Sequence, residues 1–326
     1  MLCIKHHSTD PYFNIATDEF IFKHIQEDCF MLWRNDNAII IGKHQNTLAE
    51  INVDYVREKG IKVVRRLSGG GAVYHDLGNL NFSFTRTGDS DEMVDFQRYT
   101  KPILEVLKSL GVNAKFEGRN DLTINGKKFS GNAEHVVKNK ILHHGTLLFS
   151  SQMVDISGAL KVNPLKYKDR GVKSVPNRVT NISDHLKEKI TLEQFTDKVM
   201  DYITSTFDDA RMYEFTEADL KKIQEIRDKK YSTWEWNFGY SPEYDFTNGV
   251  RTPGGTLEMH MNVSKGIITD VRIHGDFFHI KDIAPIESAL ENNRHEEKEI
   301  RKVLQQFDLR EYFSNISEDD LLSVMF

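Results

Sequence analysis

A mixed α/β fold, with a largely antiparallel sheet and flanking helices, is what this 326-residue sequence predicts. Three observations carry the expectation. Asn125-Gly126 stands between Leu122-Thr123-Ile124 and Lys128-Phe129-Ser130, the pattern of a two-residue β-hairpin. Short apolar runs at 29–34 and 38–41 flank the turn cluster Asn35-Asp36-Asn37. Helical spacing opens at Asp10-Pro11 and continues through Ile15, Ala16, Phe20, Ile21 and Ile25. Strands joined by hairpins and short crossovers, with helices beside them, make a mixed fold rather than a strict strand–helix–strand alternation.

The elements follow in order. Asp10 caps the first helix and Pro11 takes its first position, where a missing N–H costs nothing. Residues 53–59 read as a short helix stopped by Gly60, and 61–65 as a strand. Residues 71–86 are rich in β-formers, and 102–110 form a helix opening at Pro102 and closing at Gly111. An Asn139-Lys140 turn leads into a strand over 141–149. Between 154 and 181 the chain turns polar, with Pro164, Lys166, Lys168, Asp169, Arg170, Gly171 and Pro176, which predicts a long functional or disordered loop. Helices follow at 192–207 and 218–230. Trp234-Glu235-Trp236 then runs into Gly239-Tyr240-Ser241-Pro242, a domain boundary. Beyond it, strands at 255–263 and 267–274 with two or three helices make a small α+β module. The expected domains are therefore 1–240 and 241–326.

Composition narrows the function classes. Hydrophobic residues at 39% and charged residues at 28% exclude a disordered chain. A net charge of −6 without a long basic run sets aside a nucleic-acid surface. Cys3 and Cys29, with no CxxC pair, provide neither a disulfide framework nor a zinc finger and suit a reducing compartment. No apolar stretch approaches 18 residues and none follows Met1, so the expectation is a cytoplasmic protein with no membrane partner.

Two tracts carry chemistry. In the first, Arg65-Arg66-Leu67-Ser68-Gly69-Gly70-Gly71-Ala72-Val73-Tyr74-His75, bare glycine backbone lets main-chain N–H groups approach an anion, and two arginines add fixed positive charge. It is neither a Walker loop nor a dinucleotide fingerprint. Taken alone, the triplet serves equally as a tight turn between strands. The second tract runs Gly118-Arg119-Asn120-Asp121 and then Lys128-Phe129-Ser130-Gly131-Asn132-Ala133. Strand alternation puts Lys128, Ser130 and Asn132 on one face, either a ligand site or a solvated hairpin. His143-His144 point to opposite faces of a strand and cannot chelate one metal together.

Read together, these residues resemble the lipoate–protein ligase A family over essentially the whole length. The matching features are Asp10-Pro11-Tyr12-Phe13-Asn14 with Ala16, Trp33-Arg34-Asn35, Gly42 with Gln45-Asn46, the arginine–glycine tract, 118–121, Lys128 with Ser130-Gly131, His144-Gly145-Thr146-Leu147, Arg178-Val179-Thr180-Asn181 and Trp234-Glu235-Trp236-Asn237-Phe238-Gly239. The resemblance implies a catalytic domain related to the biotin protein ligases, followed by an accessory domain. It implies lipoate activation by ATP to lipoyl-AMP, then transfer to a lysine of a lipoyl domain of a 2-oxoacid dehydrogenase complex or of the glycine-cleavage H protein. Lys128 would be catalytic, contacting both substrates. ATP or adenylate would meet Arg66, Gly71, Ala72, Val73, Tyr74, Asn120, Asp121, Gly131, Ala133 and Thr146. Lipoate would meet Leu67, Ser68, Gly70, His75 and Trp33, and Asn120 or Asp121 would serve Mg²⁺ as ligand or as partner of a ligand, Asp121 being the one chosen. The polar loop at 164–178 resembles the family's adenylate-binding loop, expected to be mobile until the intermediate forms. Related amidotransferases acylate a cysteine, but Cys3 and Cys29 both precede the glycine tract, which favours the ATP route. A non-catalytic lipoate-binding protein and a biotin-specific enzyme are the remaining alternatives.

Overall fold

A computed structural model of the chain describes residues 1–88, 95–160, 167–169, 179–277 and 281–326. Its strands are β1 (Leu2–Lys5), β2 (Cys29–Trp33), β3 (Ala38–Ile41), β4 (Lys62–Arg65), β5 (Val73–His75), β6 (Asn79–Thr87), β7 (Ala114–Glu117), β8 (Asp121–Ile124), β9 (Lys127–Val137), β10 (Lys140–Leu148), β11 (Tyr167–Asp169), β12 (Arg211–Met212), β13 (Tyr244–Thr252), β14 (Gly255–Ser264) and β15 (Ile267–Gly275). The chain divides into two compact units. One is drawn from Met1–Lys43, Val56–Leu160 and Ser174–Thr233, the other from His44–Tyr55, Lys161–Lys173 and Trp234–Phe326.

The first unit holds an eight-stranded sheet in the order β12-β1-β2-β6-β10-β9-β8-β7 and a three-stranded sheet in the order β4-β3-β5. In the large sheet β1 runs parallel to β2 and β12, and the remaining pairs are antiparallel. The hairpin at Asn125-Gly126 forms as expected. Both residues take positive φ (52° and 72°), which matches the turn to the strand twist. The next turn lies at Lys138-Asn139, with φ +55° at Lys138, so Lys140 belongs to β10.

Cross-strand register sorts the large sheet into two faces. Phe30, Phe82, Phe84, Ile141 and Leu147 point one way, into a core with Tyr99, Ile103, Val106 and Leu107 of the helix Phe96–Ser109 and Phe195, Val199 and Ile203 of the helix Leu192–Thr206. Burying each large apolar side chain contributes about 1.5–3 kcal/mol. The helix Phe96–Ser109 begins six residues before Pro102, where the sequence placed its start. Asp95 caps it by accepting from the Arg98 N–H, and its apolar stripe outweighs the one hydrogen bond that an interior proline forfeits. The first helix runs Pro11–His24, and Asp10 accepts from the Tyr12 N–H.

The second unit contains the sheet β11-β13-β14-β15, antiparallel throughout, with the helices Ala284–Leu290, Glu297–Leu304 and Glu318–Met325. The sequence missed β13, because Asn248-Gly249 imitates a turn. In the sheet they sit mid-strand, opposite Met259 and Glu258. Within this unit the Thr47 hydroxyl donates to the Asn237 carbonyl at 2.6 Å, and the Thr47 N–H donates to Ser241 Oγ at 3.2 Å. The Gln45-Asn46 and Trp234–Gly239 motifs are thus joined structurally. Among the described residues no helix is long and apolar enough to cross a membrane.

Gly145 faces the core. A Cβ there would stand 2.6 Å from Phe82 Cε1, and closer still to Asn132 Oδ1. Gly145→Ala is expected to lower unfolding free energy by about 1–3 kcal/mol, the usual cost of overpacking. A wild-type denaturant midpoint would contradict this.

Candidate active site

Between β4 and β5 the chain wraps around a guanidinium. Arg66 is buried; its Nε–H donates to Ser68 Oγ (3.0 Å), Nη1 to the Ile40 carbonyl (3.0 Å), and Nη2 to the carbonyls of Gly69 (2.6 Å) and Gly71 (2.9 Å). Gly70 has φ +92°, and a Cβ on it would lie 3.0 Å from Arg66 Nη2, so this position needs glycine twice over. A Cβ on Gly69 would meet open space. Burial, and then the neighbouring Arg65 charge, pull the Arg66 pKa down to about 10, which leaves it cationic at neutral pH. No carboxylate among the described residues pairs with it. Its positive field therefore extends to the glycine edge, which has no side chains to screen it.

Two buried histidines border the tract. His144 Nε2 lies 2.6 Å from Ser68 Oγ, and its Nδ1 lies 2.9 Å from Asp18 Oδ2. His75 Nδ1 lies 3.0 Å from Asn35 Nδ2. The tautomer of His75 follows from its neighbours. Asn14 Nδ2 faces the carbonyls of Ser8 and Arg34, which can only accept, and it also donates to Asn35 Oδ1, each at 2.8 Å. Asn35 therefore turns its nitrogen to His75, Nδ1 accepts, and the proton sits on Nε2. Burial first, then the Arg66 and His144 charges, lower the His75 pKa to about 3, so the ring is neutral.

Lys128 stands on β9 beside a break in register. Leu122 lies opposite Ser130 but Thr123 lies opposite Lys128, so Phe129 is an extra, bulged residue. The bulge overturns the expected common face of Lys128, Ser130 and Asn132. Ser130 and Asn132 keep company with each other (Nδ2 to Oγ, 3.2 Å), whereas Lys128 lies with Asp121 and Gly131. Lys128 Nζ is 2.7 Å from Asp121 Oδ1, and a Cβ on Gly131 would stand 3.0 Å from that nitrogen. Glycine at 131 makes the room that the ammonium uses.

The other expected residues distribute as follows. The Gly131 N–H donates to Thr146 Oγ1 at 3.2 Å, and Ala133 lies opposite His144. Trp33, Asn81 and Thr146 form one row across β2, β6 and β10, on the face that carries His144. Leu67 and Trp33 are both buried. The Tyr74 hydroxyl donates to Asn37 Oδ1 at 3.1 Å. Asn120 Nδ2 donates to the Asn132 carbonyl (2.5 Å) and the Asn120 main-chain carbonyl accepts from Asn132 Nδ2 (3.0 Å), which ties this turn to β9. The expected loop at 164–178 lies outside the described residues, except for Tyr167–Asp169, which is β11. Where the chain returns, the Thr180 N–H donates to the Lys128 carbonyl at 2.9 Å.

Sequence reasoning gave no site role to Asp18, Asn14, Asn35, Asn81 or His144. Strand alternation did turn His144 away from His143, but its partner Asp18 is 126 residues distant. Cys3 and Cys29 are buried in β1 and β2, and burial raises both thiols, Cys29 to about 12. Neither supplies a thiolate nucleophile at neutral pH. No group of three or more His, Cys, Asp or Glu able to hold a metal occurs among the described residues.

Comparison with known proteins gives a family. Residues 10–204 match the lipoyl protein ligase A/B catalytic domain, and 241–325 match the bacterial lipoate protein ligase C-terminus. The chain is 43% identical to lipoate-protein ligase LplJ of Bacillus subtilis, over 97% of each chain. Among solved structures it resembles the bipartite lipoate protein ligase of Thermoplasma acidophilum, studied with its E2 lipoyl domain (29% identity, TM-score 0.64, 73% of this chain and 96% of that one). It also resembles a lipoate-protein ligase A bound with ATP (28% identity, TM-score 0.63, 73% of this chain and 98% of that one).

The neutral His75 has a consequence for stability. Its folded pKa of about 3 lies below the unfolded value of 6.5. Below pH 6.5 the unfolded chain binds a proton that the fold refuses, so the His75 contribution is intact above pH 6.5 and shrinks as pH falls toward 3. The slope is at most about 1.4 kcal/mol per pH unit. His75→Gln should remove that slope between about pH 4 and pH 6 in urea titrations; identical slopes would contradict a neutral His75.

Proposed function

The chain belongs to the lipoate–protein ligase family and is an ATP-using lipoate–protein ligase, and from that premise we propose how its own residues divide the reaction. In the first half, a lipoate carboxylate oxygen attacks the α-phosphorus of ATP. The bond to the bridging oxygen breaks, pyrophosphate leaves and lipoyl-AMP remains. In the second half, the neutral amine of an acceptor lysine attacks the acyl carbon. AMP leaves with the electron pair of the anhydride bond, the amine gives up a proton and an amide is left.

Two anions must meet in the first half, and their repulsion has to be offset by fixed charge. Arg66 supplies that charge without a competing carboxylate, and the backbone of Gly71, Ala72, Val73 and Tyr74 would line the nucleotide phosphates. Lys128 would leave Asp121 to sit between the lipoate carboxyl oxygen and the α-phosphate. Gly131, Ala133 and Thr146 form the small-side-chain floor beside it. Leu67, Ser68, Gly70, His75 and Trp33 are assigned to lipoate, its apolar tail falling to Leu67 and Trp33.

Asp121 fits a Mg²⁺ role. Its second carboxylate oxygen has no partner among the described residues and its side chain is 26% exposed. Mg²⁺ commonly takes one or two carboxylates and fills its remaining positions with water and substrate phosphates. Asn120, whose Nδ2 donates to the Asn132 carbonyl, is assigned with Asp121 to the nucleotide. When bound, the ion would neutralise phosphate charge.

The acceptors proposed are lipoyl domains of 2-oxoacid dehydrogenase complexes and the glycine-cleavage H protein. A reducing cytoplasmic location agrees with the two unpaired cysteines. One observation carries the division of roles: a buried cation, Arg66, with no carboxylate partner among the described residues, behind a glycine edge that Ser68 ties to the Lys128 sheet through His144. Lipoate-dependent exchange of labelled pyrophosphate into ATP is expected in the wild type, reduced by about two to three powers of ten in Lys128→Ala. No exchange by a folded wild type would overturn the adenylation step, and exchange with biotin but not lipoate would redirect the substrate.

A further inference from the structure

We propose that Asp18 and His144 are positioning residues for adenylate formation, acting through Ser68 to hold Arg66 and the glycine tract in the shape that receives ATP. The proposal rests on the assignment of that tract to ATP. Neither residue is part of the tract, and neither reaches it through the main chain. They meet it only through side chains.

The connection runs unbroken from the first helix to the tract. The Asp18 carboxylate is buried, and its Oδ2 accepts from His144 Nδ1 at 2.9 Å. The other ring nitrogen, Nε2, lies 2.6 Å from Ser68 Oγ. On its other side Ser68 Oγ accepts from Arg66 Nε–H at 3.0 Å. Three consecutive contacts of hydrogen-bond length thus join the guanidinium to a buried carboxylate, and bonds in such a row polarise one another.

The arrangement gives the buried Arg66 a distant countercharge and leaves its near side positive. It also holds the guanidinium whose Nη2 grips the carbonyls of Gly69 and Gly71. Serine, histidine and aspartate in such a row make a nucleophile in other enzymes. Here Ser68 is buried (1% exposed) and its oxygen takes a hydrogen bond from a cation, which opposes nucleophilic attack. The row positions the tract; it does not react.

Asp18 lies one helical turn after Asn14 on the helix Pro11–His24. Asn14 fixes the tautomer of His75 through Asn35, and Asp18 partners His144 at Nδ1. One face of one helix thus orients both histidines at the site.

The test is lipoate-dependent pyrophosphate exchange by the full chain, with KM for ATP and for lipoate measured separately. His144→Phe removes the Nε2 partner of Ser68 and is expected to raise KM for ATP by about tenfold, the weight of one charge-assisted hydrogen bond, with KM for lipoate within about twofold of wild type. His144→Gln, which can return an oxygen acceptor near the Nε2 position, should recover most of the loss; a merely space-filling role would not distinguish the two. Ser68→Ala should reproduce the rise in KM for ATP seen in His144→Phe, and in that parameter the double variant should be no worse than either single one. Should His144→Phe fail to fold, Ser68→Ala carries the same comparison against Asp18→Asn. Wild-type KM for ATP in the folded His144→Phe or Ser68→Ala variant would overturn the proposal, as would equal impairment of His144→Phe and His144→Gln. A folded wild type without exchange would overturn the ATP assignment itself, and this proposal with it.

Discussion

A buried guanidinium with no carboxylate beside it among the described residues is the constraint on which the site depends. Taking a cation out of water costs several kcal/mol unless its donors are satisfied. Arg66 meets that demand with three carbonyls and a hydroxyl, those of Ile40, Gly69, Gly71 and Ser68. The requirement shapes the chain: the tract curls around the donors, Gly70 goes to positive φ, and the edge is left without side chains. Hydrogen bonds to neutral acceptors satisfy the donors without cancelling the charge. A positive field remains at a bare backbone edge.

The large sheet serves core and site with opposite faces, and the adjacent histidines show the division. His143 turns inward to Glu134 at 2.8 Å, among Tyr99, Phe82 and Phe96. Burial lifts the Glu134 carboxyl to about 7 and drives His143 down, so this pair sits in the core with little net charge near neutral pH. His144 turns outward to Ser68 and the tract. On the neighbouring strand the Phe129 bulge achieves a comparable split: the aromatic ring enters the core, and the preceding lysine keeps to the side of Asp121 and Gly131. Without the bulge, plain alternation would send Lys128 to the face of Ser130 and Asn132.

Local signals in the sequence were the ones that could be read. Asn125-Gly126 and Asp10-Pro11 each fix a backbone geometry by their own chemistry, and hairpin and helix start fall where those residues demand. The glycine triplet was legible as bare backbone because missing side chains can be seen without a fold. Signals that depend on partners were not. Pro102 looked like a helix start, because the apolar stripe that extends the helix back to Phe96 acquires weight only against the sheet. β13 went unread, because Asn248-Gly249 interrupts its strand pattern and only β14 beside it holds that stretch extended. The Phe129 bulge and the pairing of Asp18 with His144 are long-range facts, and no spacing rule reaches across 126 residues. Family resemblance supplied the names of substrates and most site assignments, whereas the geometry added the side chains that hold the tract in place.

The central claim is that the Arg66-anchored glycine tract receives the phosphate of the activated acid. Amide hydrogen exchange of residues 69–73, measured with and without a non-hydrolysable lipoyl-adenylate analogue at saturation, tests it most directly. Exchange across the tract is expected to slow by about tenfold or more on binding, together with the amides around Lys128. Unchanged exchange in the tract, with calorimetry showing the analogue bound, would contradict the claim.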